Sequence, residues 1–571
     1  MSKTINKYFD GLTWNDIVWS DSYDIVRRIQ KRIYKASRLN EKGKVRFLQK
    51  LVLGSPHAKL IAVQTVTTLN LVPVAKQLAQ TCALLRWHIK GKKTDGLTAT
   101  SSEEKLKMAK TLQLNGKANF VRKVEKRPLG IPTIQDRAKQ ALAKLALEPE
   151  WEAKFEPNSY GFRPGRNAQD AIEAIYSNLH FDVDKYVFDA DIRKCFDKIN
   201  HKALLEKLQT FPLMESQIEA WLKAGIFYLD AEKEKLSYPG MGTPQGGVIS
   251  PLLANIALHG LENHLLDFVS NQKMPKPHTG AARGTKAKRT ALGIVRYADD
   301  FVIIHRNKEI IELVIQETKN WLSKVGLEIS EEKSALKLAS QSFQFLGFQI
   351  AYTYNLVPVA KQLAQTCALL RWHIKVSKRF RVKITPSKEN VLNILNKTRT
   401  IIQNNKAASA YQLIGKLRPV LLGWANFFKY CECKEKFARI DNLVYQQLRA
   451  WVFRRAVRQG RIEVKENYFP SEKSYLFQGR TYNGNWILNG SKKSTNGKPI
   501  SIYLPKISWI SSQKHIKIKG DASVYDGNEM YWALRTPRSC ALPVVVVAKQ
   551  LQLQLAGKHI KGGKDTYSNL Q

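Results

Sequence analysis

Ile294-Val295-Arg296-Tyr297-Ala298-Asp299-Asp300-Phe301-Val302-Ile303-Ile304 sets two adjacent aspartates between two short runs rich in β-branched and aromatic residues. Runs of that kind read as strands, and a polar pair between them reads as the tip of a hairpin. Two neighbouring carboxylates at a tight turn repel each other, and a divalent cation offsets that repulsion without protonating either of them. Asp299 and Asp300 are therefore metal-ligand candidates, beside the plainer reading of an Asp-rich turn.

A second carboxylate cluster lies upstream. Tyr186-Val187-Phe188-Asp189-Ala190-Asp191-Ile192 reads as a strand running into the helical stretch Arg193-Lys194-Cys195-Phe196-Asp197-Lys198. Strand alternation puts Asp189 and Asp191 on one face, where one of them can meet the Asp299-Asp300 hairpin across a sheet. Three carboxylates can hold two magnesium ions about 3.5–4 Å apart, the arrangement for in-line phosphoryl or nucleotidyl transfer. Magnesium takes such oxygen ligands and completes its shell with water and substrate phosphates. The same pattern also suits a nuclease or a cyclase.

Charge narrows the choice of substrate. The 571 residues carry 92 Lys and Arg against 48 Asp and Glu, a formal charge of +44. An excess that large points to a polyanion, bound mainly through its phosphate backbone. The length suggests several domains, and 44% hydrophobic residues can fill their cores. No apolar run approaches the ~18 residues needed to span a bilayer, and Met1-Ser2-Lys3-Thr4-Ile5-Asn6-Lys7-Tyr8 has no signal-peptide core. A soluble, intracellular protein with no membrane partner is expected. Cys82, Cys195, Cys367, Cys431, Cys433 and Cys540 are too scattered for a disulfide framework or a paired zinc site, so reduced thiols are expected.

An internal repeat interrupts the chain. Asn70 to Lys90 reads NLVPVAKQLAQTCALLRWHIK, and Asn355 to Lys375 repeats it without a change. A structural repeat drifts at surface positions, so perfect identity in two unrelated contexts points to duplication of a DNA element rather than a solenoid unit. Leu78, Cys82, Leu85 and Ile89 fall at helical spacing, which predicts a short basic amphipathic helix in each copy. A degraded relative lies at Val547-Ala548-Lys549-Gln550-Leu551.

Six blocks then occur in a telling order: Arg127-Pro128-Leu129-Gly130-Ile131-Pro132; Tyr160-Gly161-Phe162-Arg163-Pro164-Gly165-Arg166; Asp189-Ala190-Asp191 with Phe196-Asp197; Thr243-Pro244-Gln245-Gly246-Gly247-Val248-Ile249-Ser250-Pro251; Tyr297-Ala298-Asp299-Asp300; and Phe345-Leu346-Gly347-Phe348. In that order they resemble a group II intron reverse transcriptase/maturase over about residues 10 to 535. The resemblance implies an α+β right-hand polymerase of fingers, palm and thumb, followed by a helical maturase domain and a small basic DNA-binding tail. The corresponding boundaries are 1–115 for an N-terminal extension and the start of the fingers, with an insert at 70–90, and 116–350 for fingers and palm. The repeated insert follows at 355–375, thumb and maturase at 376–470, a DNA-binding region at 471–540 and a truncated HNH endonuclease remnant at 541–571.

The resemblance also implies roles. Asp191, Asp299 and Asp300 are the expected catalytic metal ligands for two Mg2+ ions, and Asp189 is expected to be structural. Phe196 would sit beneath the incoming sugar, where a bulky ring clashes with a 2′-hydroxyl and selects dNTP substrates; a plain core aromatic is the alternative. Gln245 and Gly246, with Gly247, resemble the block touching template and nucleotide, where a missing Cβ lets backbone approach closely. Arg122, Lys123 and Arg127 resemble triphosphate-binding finger residues, and Lys333 matches a lysine that protonates departing pyrophosphate. Beyond the palm, Leu422 to Tyr430 and Leu448 to Arg455 resemble thumb and maturase, with most rings expected in a helical bundle and Arg449, Arg454, Arg455 and Arg458 as RNA contacts. Lys514 to Ala522 resembles the segment leading into the DNA-binding region, although its alternation also suits an edge strand.

The implied function is RNA-directed DNA synthesis for a group II intron, with binding of the intron RNA to assist splicing and target-primed reverse transcription in retrohoming. The implied partners are that intron RNA, an RNA template and a DNA primer or target, with no obligate protein partner, in a ribonucleoprotein of the bacterial cytoplasm or an organellar matrix. Three departures weigh on this: only Glu125 and Lys126 stand where a longer basic finger hairpin is usual, the repeat copies interrupt fingers and palm, and the tail lacks the HNH cysteine pairs and final histidine. No DNA cleavage by this chain is therefore expected. A non-catalytic RNA-binding maturase, or a degenerate gene product, remains the alternative.

Overall fold

The computed structural model describes residues 8–68, 101–119, 121–124, 129–180, 183–229, 234–243, 246–273, 284–355, 379–455, 459–493, 499–518, 520 and 522–528. The helix expected in each repeat copy, the shortened finger connection at 125–128, Gln245, Arg458 and the HNH-like tail lie outside the described residues.

In chain order the first strands are β1 (Val121–Val124), β2 (Leu129–Ile131), β3 (Tyr186–Asp191), β4 (Ile226–Leu229), β5 (Glu234–Ser237), β6 (Gly293–Tyr297) and β7 (Asp300–His305). They are followed by β8 (Ala335–Leu338), β9 (Phe343–Phe345), β10 (Phe348–Asn355) and β11 (Arg379–Pro386). One four-stranded sheet has the order β2-β1-β4-β5, with β1 parallel to β4. The central sheet has the order β6-β7-β3-β8, all neighbours antiparallel.

Strand alternation divides that central sheet between two cores. Phe188, Ile294, Phe301 and Ile303 face a core shared with the N-terminal helices. Val187, Val295, Val302 and Ile304 face a second core shared with the C-terminal helices. Period-two alternation makes this division automatic, because successive side chains leave opposite faces. Both faces are apolar, which is why β6 and β7 read as nearly continuous hydrophobic runs.

The first core is organised by the helix Ile134–Glu152, which buries residues on all sides, among them Ala138, Leu142, Ala146 and Trp151. Thr133 caps it, its Oγ1 accepting from Asp136 N at 3.2 Å. The helices Trp19–Arg38, Lys42–Gly54 and Pro56–Thr68 pack around it.

The second core extends into helices Lys388–Gln403, Ala410–Phe428 and Lys434–Arg455, which bury Ile394, Leu413, Leu417, Phe437, Leu448 and Val452. Ser409 and Gln412 form a capping box at the second of these. The rings expected in a bundle are there: Trp424 lies 4.7 Å from Phe428 and 5.7 Å from Phe437, centroid to centroid, and Phe437 and Trp451 are buried. Two hairpins follow, β12 (Ser474–Phe477) with β13 (Arg480–Asn483) and β14 (Asn489–Lys493) with β15 (Pro499–Tyr503).

One expected alternative fails. Among its described residues the alternating segment from Lys514 forms no edge strand; it is tied instead to the helix Ala168–Leu179. Asp170 satisfies it from the side, accepting from Ile518 N at 3.0 Å and lying 2.9 Å from His515 Nε2, and Arg166 donates to Gly520 O at 2.8 Å. Side-chain partners replace a ladder, a choice that residue alternation does not reveal.

Strands β10 and β11 pair from Phe348↔Pro386 to Asn355↔Arg379, so the second repeat copy begins at the far end of an intact hairpin. At the near end, Phe345 pairs with Phe348 across a two-residue turn in which Leu346 and Gly347 both have positive φ, 49° and 80°. Two consecutive left-handed residues are what a type I′ hairpin turn requires, which explains the glycine in Phe345-Leu346-Gly347-Phe348.

Candidate active site

The hairpin read from the sequence is present: β6 ends at Tyr297, Ala298 and Asp299 make the turn, and β7 begins at Asp300. Ala298 has φ +60°, at the turn position where a two-residue hairpin of this kind favours glycine. Such a conformation costs an L-residue on the order of 1–3 kcal/mol and persists only where the surroundings impose it.

Two features impose it. The buried Arg296 guanidinium donates to Ala298 O at 3.2 Å, to Asn255 Oδ1 at 3.2 Å and to Ser159 Oγ at 2.7 Å. Gly161 lies against the turn as well, so close that a Cβ there would stand 2.3 Å from Ala298 N. The loop carrying Gly161 is tied to β6 through Tyr160 N→Arg296 O at 2.8 Å and Arg296 N→Asn158 O at 2.9 Å. Asn255 Nδ2 donates to Gly161 O at 2.8 Å. Arg163 closes the loop's other flank, its Nε and Nη2 each 2.9 Å from a Glu152 carboxylate oxygen, with both side chains almost wholly buried.

The expected carboxylates meet on this frame. Asp191 is paired directly with Asp300 across β3 and β7, and Ile192 N donates to Asp299 O at 3.3 Å. By alternation Asp189, Asp191 and Asp300 share the face of Val187 and Val302. Burial first, then the neighbouring Asp299 and Asp191 charges, pushes Asp300 up to about 7. Burial likewise raises Asp299, with Asp191 adding to the effect, and burial raises Asp189 to about 6.

Lys333 also reaches this cluster. Its Nζ donates to Asp191 Oδ2 at 3.0 Å, which raises the lysine's pKa and keeps it cationic. The turn that carries it is held to β3 by Ser330 N→Asp191 O at 2.8 Å.

A hard divalent cation fits this donor set, since Asp191 faces Asp300 across the sheet with Asp299 at the adjoining turn, and such an ion relieves the mutual repulsion of their carboxylates. Among the described residues no group of three or more His, Cys, Asp or Glu side chains already stands in metal-holding geometry; a magnesium site also draws ligands from water and substrate phosphates.

Phe196 follows Asp191 by five residues. It lies in the single-turn helix Cys195–Lys198, half-buried, and its carbonyl accepts from Thr243 N at 2.5 Å. Gly242 packs on the same turn, where a Cβ would meet Asp197 O at 2.5 Å, and His201 Nε2 lies 2.7 Å from Gly242 O. The chain therefore enters the Pro244-Gln245 block anchored to the turn that bears Phe196. Gly246 is half-buried in the following turn, and Val248 N donates to Gln140 Oε1 at 2.8 Å.

The remaining expected residues are distributed as follows. Arg122 and Lys123 lie on β1, opposite Ile131 and Gly130 of β2; Arg127 is outside the described residues. Arg449 and Arg454 are exposed on the helix Lys434–Arg455. Arg455 is exposed as well, but its guanidinium lies over the Trp451 ring and donates to Ala408 O, so local packing already engages it. Cys195, Cys431 and Cys433 are buried free thiols, and Cys82, Cys367 and Cys540 lie outside the described residues.

The sequence does not single out Arg296, Gly161 or Ala298 as functional. One signal was available for the first: a cation inside an apolar strand run must find buried partners, and those partners fix their surroundings.

Residues 116–350 match the family model "Reverse transcriptase (RNA-dependent DNA polymerase)". Residues 14–112 match "N-terminal domain of reverse transcriptase" and residues 391–469 match "Group II intron, maturase-specific domain". The chain is 33% identical to group II intron-encoded protein LtrA of Lactococcus lactis subsp. cremoris, over 39% of this chain and 44% of that protein. It is 28% identical to protein YkfC of Escherichia coli, covering 44% and 73% of the two chains. Maturase-like protein 1 of Euglena gracilis is 25% identical, over 74% of this chain and 78% of that one. The match thus spans less than half the length of the Lactococcus protein. The carboxylate-bearing sheet thus lies in a reverse transcriptase domain, and the helices that follow it lie in a group II intron maturase-specific domain.

Proposed function

We propose that this chain is an RNA-directed DNA polymerase that also binds group II intron RNA and assists its splicing. The observation that carries the polymerase reading is the juxtaposition of Asp191 and Asp300 as direct cross-strand partners, with Asp299 at the adjoining turn. A decaying or purely RNA-binding protein has no use for a strained hairpin braced by Arg296 and Gly161 to hold three repelling carboxylates together.

Asp191, Asp299 and Asp300 would hold two magnesium ions. Two ions held there would supply the Lewis acidity that activates a primer 3′-hydroxyl towards the α-phosphate of a dNTP and offsets the charge of the departing pyrophosphate. The chain's own groups do the rest. Lys333, 3.0 Å from Asp191, would give a proton to the leaving group. Phe196 would bar a 2′-hydroxyl, and the Gln245-Gly246 block would position template and nucleotide. Arg122, Lys123 and Arg127 would grip the triphosphate. The exposed Arg449 and Arg454, with Arg455 and Arg458, would pair with phosphates of the intron RNA. The fingers-palm, thumb-maturase and DNA-binding boundaries, and a magnesium-dependent ribonucleoprotein, belong to the same proposal.

Asp299→Asn separates the two activities. In this variant, splicing of the cognate intron RNA at low magnesium is expected to persist while cDNA synthesis on that RNA is lost. Loss of both together, with the variant still folded, would contradict an assignment of Asp299 to polymerisation alone.

A further inference from the structure

Phe162 is the one exposed residue of the Tyr160-Gly161-Phe162-Arg163 loop, the other three being buried. It is an aromatic residue at φ +58° with half its surface exposed. For a bulky side chain that backbone conformation is a true outlier, and an exposed ring recovers little of its cost through burial. Residues held in such a state cluster where geometry serves function.

The flanking residues leave Phe162 no choice. Gly161 is wedged against the backbone of Ala298, and Arg163 is fixed by Glu152 and by Glu156 O and Ser159 O, each 2.8 Å from Nη1. What this rigid loop presents is the Phe162 ring, 6.2 Å from the Phe196 ring at an interplanar angle of 76°. That is the edge-to-face geometry aromatic pairs favour. One ring comes from the loop clamped to the hairpin of Asp299 and Asp300; the other lies five residues beyond Asp191.

We propose that Phe162 is a positioning residue for deoxynucleotide selection: its ring forms a second wall of the sugar site and holds the Phe196 ring where it bars a 2′-hydroxyl. This rests on the polymerase reading and goes beyond it by making discrimination the property of a ring pair. Phe196 is only half-buried, in a single-turn helix. An edge-on ring carried on a backbone fixed at Gly161 and Arg163 restricts how far it can turn.

The test is incorporation of a dNTP and of the matching rNTP opposite an RNA template by the full-length protein, by Phe162→Gly, by Phe162→Tyr and by Phe196→Ala. Glycine removes the ring and also relaxes the left-handed backbone, so the variant is expected to fold at least as well as the parent. For Phe162→Gly, the dNTP/rNTP ratio of kcat/KM is expected to fall at least about tenfold, chiefly through a lower KM for the rNTP. Phe162→Tyr, which keeps the ring, should hold the parental ratio. A parental ratio in Phe162→Gly beside a lost ratio in Phe196→Ala would overturn the inference and leave the polymerase reading standing. Failure of the parent to extend any primer would overturn both.

Discussion

Replacing Gly161 by alanine should damage catalysis far more than stability. The added Cβ would lie 2.3 Å from Ala298 N, 2.9 Å from Tyr297 C and 3.0 Å from Ala298 Cα. All three are backbone atoms, so no side chain can rotate out of the way. Gly161 itself has no positive φ, so alanine brings no conformational penalty of its own and the effect isolates the contact. Restoring ordinary separation requires about 1 Å of movement between loop and hairpin, and the hairpin carries Asp299 and Asp300. Overpacking of this kind costs about 1–3 kcal/mol of stability, whereas a shift of about 1 Å in a reacting constellation costs about 100-fold in rate. Single-turnover addition of one dNTP to a DNA primer on an RNA template reads the rate, and thermal unfolding reads the stability. A rate within about threefold of the parent would refute the claim that Gly161 sets the hairpin's position.

Other consequences follow from the same frame. Arg296→Ala strips Ser159, Asn255 and Ala298 of their shared donor and should cost about 3 kcal/mol in thermal or denaturant unfolding; an unchanged unfolding midpoint would contradict this. Glu262, whose carboxylate accepts from Asn158 N and Nδ2, is pushed up to about 7 by burial first and by Glu156 second. A folded-state pKa above the unfolded value means that protonation favours the folded state, so this contribution is present below about pH 4.5 and is lost as pH rises through 7. Glu262→Gln should therefore flatten the fall of melting temperature between pH 5 and 8, and a fall as steep as the parent's would count against it.

How much of this was legible in the sequence depends on the range over which each feature acts. The hairpin at Asp299-Asp300 and the strand at Asp189-Asp191 were legible because alternation and a tight turn are local, and the cross-strand meeting of Asp191 with Asp300 follows once both strands lie in one sheet. The type I′ turn at Leu346-Gly347 is local as well. The bracing of that hairpin was not legible. Gly161 and Ala298 are far apart in the chain, and nothing in either residue type reports that their backbones touch. The same holds for Asp170, which serves at once as half of a capping box and as acceptor for the backbone of Ile518. The alternation from Lys514 suggested a strand for a sound local reason, and a distant carboxylate overrode it.

The most direct test of the account is magnesium-dependent extension of a DNA primer on an RNA template by the purified full-length protein, run beside Asp299→Ala. The account predicts template-directed extension by the parent and none by the variant, with both binding intron RNA equally. A folded, RNA-binding parent that adds no nucleotide, or an Asp299→Ala variant that extends as the parent does, would contradict it.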